Sequence, residues 1–316
     1  MTSILKSILL ATFVITLPSV KALADVTSQQ VWDGLRTAMV ASGFKLRASE
    51  TRNGTRLTIG DLQINKRFQD PGSDASGTIS LSVSSLQFLD KGNGKVNIVF
   101  PEKIPVILRS NSPNDGAFEM QLNLTQRNLV ITASGKPDEL RHDYAAETVG
   151  LNLGKFVLDG TEVPGTDVLA ELDIHDITGT SIRALRTDRN YTQNLSIGRM
   201  SYQGSMSIPS AAETRYNFSG QTTGLEFTGT TALPVILNWS DPLAVLTAGA
   251  SFDADWRYDR AEGDMSSVEG GEKFQQSSEI TAGSGRLALD KQRLLYKTKS
   301  AQSNLFLVMD ALPFPI

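Results

Sequence analysis

From about residue 44 onward the chain repeats one rhythm: apolar side chains at every second position with mainly polar neighbours between them. Leu62 and Ile64; Ile79, Leu81 and Val83; Met120, Leu122 and Leu124; Val149, Leu151 and Leu153; Phe252, Ala254, Trp256 and Tyr258; and Leu305, Leu307 and Met309 all follow it. A period of two sends alternate side chains to opposite faces of an extended strand, so each run predicts a strand with one apolar and one polar face. Turn signals fall between the runs: Asn53-Gly54, Asp70-Pro71-Gly72, Gly92-Asn93-Gly94, Asn114-Asp115-Gly116, Asp159-Gly160, Glu262-Gly263-Asp264 and Gly270-Gly271. Such short connections imply hairpins and meanders, because parallel neighbours need a crossover of about a dozen residues or more. The expected fold class is therefore mainly β: a large, strongly curved antiparallel sheet, rolled or folded over, whose apolar face lines an interior. One phase shift stands out, where Ile79, Leu81 and Val83 give way to Leu86 and Phe88 across Ser84-Ser85, and it predicts a β-bulge.

A different period occurs once, ahead of the strands. Thr27 with Gln30 three residues on is a capping-box pattern, and Val31, Trp32, Leu35, Ala38 and Met39 then share one helical face until Ser42-Gly43. This predicts one N-terminal amphipathic helix packed on the sheet. A second, short helix is expected between Asp241-Pro242 and Gly249.

Before that helix, Met1 to Ala24 has the form of a secretory signal: Lys6, an apolar stretch from Ile8 to Val20, then Ala22-Leu23-Ala24. Cleavage is expected after Ala24, giving a signal peptide (1–24) and a single mainly-β domain (25–316) in the periplasm. The apolar stretch is shorter than the roughly 20 residues that span a bilayer, so no transmembrane anchor is expected after cleavage. The chain contains no cysteine, which excludes disulfides, thiol chemistry and cysteinyl zinc sites. Its net charge of −4 argues against nucleic acid as a partner, since phosphate backbones need a clustered positive field.

Candidate chemistry is sparse. There are two histidines. In Asp173-Ile174-His175-Asp176, a strand would place Asp173 and His175 on one face, making Asp173, His175 and Asp176 the candidate catalytic residues. Two such side chains do not make a metal site, and no metal or cofactor is expected. His142, in Arg141-His142-Asp143-Tyr144, reads as a surface residue. Asp253, Asp255 and Asp259 fall on the face opposite Phe252, Trp256 and Tyr258, the wet side of a strand rather than a glycosidase pair. Gly283-Ser284-Gly285 lacks the spacing of a hydrolase nucleophile elbow.

The leader ending in Ala22-Leu23-Ala24 before Asp25-Val26-Thr27, the spacing to Val31-Trp32, the Gly- and Thr-rich strands and the segment Ala311-Leu312-Pro313-Phe314-Pro315 resemble an uncharacterised secreted bacterial family, domain of unknown function 2125. That resemblance implies a Gram-negative periplasmic setting and a chain that covers the N-terminal part of a longer protein. It implies no catalytic residues. The break within Leu312-Pro313-Phe314-Pro315-Ile316 likewise reads as truncation at the C-terminus, which would leave a sheet edge open to association.

Three function classes follow. The first is a non-catalytic envelope protein that shelters a lipid or other apolar ligand in a curved-sheet groove, with ligand residues unassigned. The second is a structural or interaction protein with a filled core and envelope proteins as partners. The third is a hydrolase centred on Asp173, His175 and Asp176. A continuous apolar groove favours the first and a filled interior the second. An outer-membrane barrel ranks last, because aromatic residues are sparse and prolines interrupt the runs.

Overall fold

The computed structural model describes residues 26–69, 76–112, 116–136, 138–165, 167–185, 189–208, 214–234 and 242–309. The expected leader and its cleavage site lie outside them, as do Asp70-Pro71-Gly72, Asn114-Asp115, Asp241 and the segment 311–316.

Helix α1 (Ser28–Ala41) forms as its sequence dictates. Gln30 N–H donates to the Thr27 hydroxyl at 3.3 Å, while Thr27 N–H donates to the Gln30 side chain at 2.9 Å, satisfying two amides that the first turn cannot pair. Gly43, at φ 85°, turns the chain out of the helix. Val31, Trp32, Leu35, Ala38 and Met39 are all buried, as the spacing predicts.

The remaining described residues form one antiparallel sheet with a short helix, α2 (Pro242–Thr247), inserted late. The first strands are β1 (Lys45–Asn53), β2 (Arg56–Gln69), β3 (Ser76–Asp90), β4 (Lys95–Val99), β5 (Lys103–Ser112), β6 (Gly116–Arg127) and β7 (Val130–Lys136). There follow β8 (Glu139–Leu158), β9 (Thr161–Val163), β10 (Val168–Leu185), β11 (Arg189–Ile208) and β12 (Thr214–Leu233). After α2 come β13 (Ser251–Glu269), β14 (Glu272–Leu289), β15 (Leu294–Lys299) and β16 (Gln302–Met309). Both β4 and β5 pair with β3, both β6 and β7 with β8, and both β15 and β16 with β14. Each of these couples is one long strand broken in the middle, so the topology is an up-and-down meander. The sheet is large and curved, and among the described residues it is open: β1 pairs only with β2, and β15 and β16 only with β14.

The breaks line up into a crease across the strands. In register, Glu147 of β8, Asp176 of β10, Gly198 of β11, Gly224 of β12, Asp259 of β13 and Ala282 of β14 face one another in sequence, and each is skipped by the ladder. Asp61, Asn128, Asp176, Gly224 and Ala282 have left-handed φ between 48° and 62°. Moving φ from its extended value to the left-handed region turns the chain by roughly half a revolution, which changes which alternate residues face which side. Apolar positions therefore step by three at the crease, from Val83 to Leu86, Ile174 to Ile177 and Ile197 to Met200. This corrects the expected bulge at Ser84-Ser85. Gly60 stays opposite Ser85 and Leu62 opposite Val83, so no residue is inserted, and the left-handed Asp61 of the partner strand marks the phase shift.

Despite the step, the apolar side remains one side. Leu62, Ile64 and Val83 from above the crease and Leu57, Ile59, Leu86 and Phe88 from below it pack in a single cluster with Val31, Trp32, Leu35 and Met39 of α1. That cluster, completed by Val96, Ile98, Ile104, Ala133 and Leu140, is the core, and it sits under the helix. Among the described residues the apolar face is packed most extensively there; below the crease it also buries Ala146, Arg183, Tyr191, Ile197 and Ala254. Leu305, Leu307 and Met309, expected to face inward, are exposed. The expected turn at Glu262-Gly263-Asp264 is also corrected: all three lie inside β13, Gly263 pairs with Gly220 and Ser278, and the Tyr202 hydroxyl occupies the space beside it.

Candidate functional site

Past the core, cross-strand register carries the apolar side over the rest of the sheet in two rows, one on each side of the crease. Below it runs Ile131, Tyr144, Gly179, Leu195, Phe227, Trp256 and Gly285, each directly opposite the next. Above it runs Ile104, Leu124, Leu151, Leu172, Tyr202, Gly220 and Gly263. Glycine and aromatic residues alternate here for a steric reason. The Tyr144 ring lies over Gly179, Phe218 over Gly204, Tyr202 over Gly220, Tyr258 over Gly283 and Trp256 over Gly285, where an added Cβ would sit within the ring's van der Waals envelope. Rings laid flat on bare backbone give a smooth apolar surface and cover strand positions that glycine alone would leave weakly packed.

Nothing among the described residues covers the upper row over β11 to β16. Tyr202, Met206, Phe218, Met265, Leu305, Leu307 and Met309 are exposed large apolar side chains on that side. The opposite side is polar and internally paired: Arg257 bonds Glu226 at 2.7 Å, Arg286 bonds Asp253 at 2.7 Å, Gln221 donates to Glu262 and Gln203 to Glu171. Two surface hollows of about 420 Å³ each occur in this region. One follows the crease past Gly198, Gly224, Asp259 and Ala282; the other lies among Glu171, Asp173, Gln203, Gln221, Glu262 and Asp264. Both are polar, so neither is an apolar pocket.

The hydrolase candidates fall on the polar side. Asp173 stands opposite Gly150 and Ser201, and His175 opposite Thr148 and Arg199, so the two do share a face. Asp176 occupies the crease, its side chain against Gly198. Among the described residues no three His, Cys, Asp or Glu side chains gather as a metal site. Gly283 and Gly285 lie inside β14 beneath aromatic rings, and the hydrogen bonds from Arg286 lower the pKa of Asp253.

His142 is not a surface residue. It lies on the apolar side between Ala133 and Ser181, half-buried, and desolvation with the nearby Arg183 guanidinium pushes its pKa down to about 4. Sequence reasoning missed Lys66 altogether. It continues the apolar alternation Leu62, Ile64, Lys66 on β2, with its Nζ 5.2 Å from the centre of the Phe44 ring, and burial lowers its pKa. The signal was present in the sequence as a lysine standing in phase with an apolar run.

No helix of the described residues is long and apolar enough to cross a membrane. Comparison of the chain with family models, curated proteins and solved structures finds no match.

Proposed function

We propose that this chain is a non-catalytic periplasmic envelope protein that holds lipid or another apolar ligand against the apolar side of its curved sheet. The observation that carries the reading is the uncovered surface of Tyr202, Met206, Phe218 and Met265, continuous in register with a filled core at one end. Apolar surface that extends over many strands without a second layer marks a place where something else binds. Flattened aromatics and adaptable methionines suit acyl chains, which need contact area rather than directional bonds. The signal-like leader and the resemblance to domain of unknown function 2125 support export to the periplasm of a Gram-negative cell. The spread of Asp173, His175 and Asp176 over an open polar strand face supports a role without catalysis.

The test is native mass spectrometry of the exported protein after gentle purification, alongside displacement of a fluorescent fatty acid. Co-purified lipid and saturable displacement are expected. A bare polypeptide mass with no probe binding rejects the reading and leaves the structural or interaction role, which the filled core beneath α1 favours.

A further inference from the structure

Resting on that reading, we infer that Lys66 is the headgroup anchor of the apolar surface and that the ligand is an anionic phospholipid, its phosphate at Lys66 and its acyl chains on the rows beside it. Lys66 shares the apolar side of β2 with the buried Leu62 and Ile64. Across the ladder it faces Ile79, and β3 continues the same side with Leu81 and Val83. Its ammonium rests over the Phe44 ring, partly stripped of water, and among the described residues no carboxylate forms a salt bridge with it. A half-buried cation without an acidic partner gains most from an anion that brings its own apolar body, because both the charge and the surrounding surface are then satisfied together.

The path from this anchor is continuous as far as β8. Beside Lys66 the row Ile64, Leu81, Val106, Leu122 and Leu153 crosses to β8 with each residue opposite the next. A separate row on the same side, Gly204, Phe218, Met265 and Gln276, runs on to Leu307. Two acidic residues that flank this track are turned to the polar side, Glu119 pairing with Arg109 and Glu171 with Gln203. Glu50 and Asp90 lie on the apolar side only below the crease, where they bond α1, and Glu269 and Glu272 only at the far end of β13 and β14. An anionic head is therefore attracted at one end and meets no facing carboxylate along the way.

The experiment incubates the full chain with vesicles of dioleoylphosphatidylglycerol, and separately with dioleoylglycerol or oleate in detergent, re-isolates the protein and counts bound lipid by mass spectrometry. Lys66→Gln is expected to lower phosphatidylglycerol retention about tenfold, the scale of a lost charge-assisted bond, while Lys66→Arg stays within about twofold of the parent. Dioleoylglycerol retention is expected to be the same in all three proteins. Unchanged phosphatidylglycerol retention in Lys66→Gln overturns the anchor, and so does a Lys66 effect confined to oleate, which would make the ligand a fatty acid. If the parent retains none of the three lipids, the lipid-holding function itself fails, an outcome distinct from retention that ignores Lys66.

Discussion

Phe88 and Phe218 both lie on the apolar side of one sheet, one below the crease and one above it, yet Phe88 is 0% exposed and Phe218 47%. Phe88 lies under Trp32 of α1, ring centres 5.9 Å apart, whereas Phe218 lies on Gly204 with the Tyr202 ring beside it at 6.3 Å. Strand alternation makes an apolar face in both regions, but a core forms only where a second layer lands on it. Helix α1 supplies that layer over β1 to β4, whereas above the crease no described residue supplies one over β11 to β14. The difference separates residues that hold the fold together from residues free to hold something else.

The most direct way to break this comparison is to truncate both rings. Phe88→Ala is expected to cost about 3–5 kcal/mol, the usual range for emptying a packed aromatic site, and Phe218→Ala less than about 1 kcal/mol, because half its surface is already in water. Urea unfolding of the two variants measures both. Equal losses would mean that the far surface is covered after all, and the contrast between the regions would disappear.

A smaller effect is expected from filling the space that an aromatic ring occupies. Gly285→Val forces a side chain into the Trp256 ring and should cost about 1–3 kcal/mol, as overpacking does. Trp256→Ala in the same chain removes the nearer obstacle and leaves the Lys297 carbonyl oxygen 2.9 Å from the added Cβ, so the double variant should lose less than the sum of the single ones. Additive losses in thermal unfolding would show that the ring does not rest on Gly285.

His142 marks the seam between the regions, and its expected signature is a pH slope. Its folded pKa, about 4, lies below the ordinary value of 6.5, so the folded state favours the neutral ring. The unfolded chain then binds more protons between those two values, and stability must fall as pH drops from 6.5 towards 4. Full desolvation would set the loss near ~3 kcal/mol; the half-buried ring, partly screened by solvent, brings it to about 1–2 kcal/mol. His142→Gln should flatten the slope in that window, as read by urea midpoints across pH. The paired carboxylates, Asp143 and Glu119 among them, have lowered pKa values and act only at more acid pH.

Local physics made the covered region legible. The capping box of Thr27 and Gln30 and the spacing of Val31, Trp32, Leu35, Ala38 and Met39 are written within about four turns of chain, and the structure repeats them. Strand alternation was equally readable, as was the short helix before Gly249. The crease was not, because only Ser84-Ser85 betrayed a phase step, and its residues gain meaning from neighbours dozens of positions away. Gly263 read as a turn glycine, and Gly283 and Gly285 drew notice only as a failed nucleophile elbow, for the same reason: the rings beside them come from other strands or from non-adjacent positions. His142 was misplaced because its strand mixes Arg141 and Asp143 with Leu140 and Tyr144, and the side facing Ala133 is set by pairing rather than by composition. Lys66 was overlooked because a charged residue in phase with Leu62 and Ile64 looks like the end of an apolar run.

The gentlest test acts on the helix that creates the contrast. Thr27→Ala removes one half of the capping box, a loss of about 1 kcal/mol, and leaves the apolar face of α1 unchanged. Ser28 still ties the helix to β3, its N–H and hydroxyl both donating to Asp90 at 2.7 and 2.8 Å, and Asp90 is held in turn by Arg52 at 2.9 Å. The expected outcome is therefore a small drop in the urea midpoint with no gain in lipid retention, since the helix frays at its first residue but stays docked. Adding Asp90→Ala removes the second tether and should expose part of the cluster around Trp32 and Phe88, seen as red-shifted tryptophan emission and raised lipid retention together. If emission shifts while retention stays at the parental level, the covered and bare regions differ in more than their second layer, and the aromatic and methionine composition of β11 to β14 must carry the affinity.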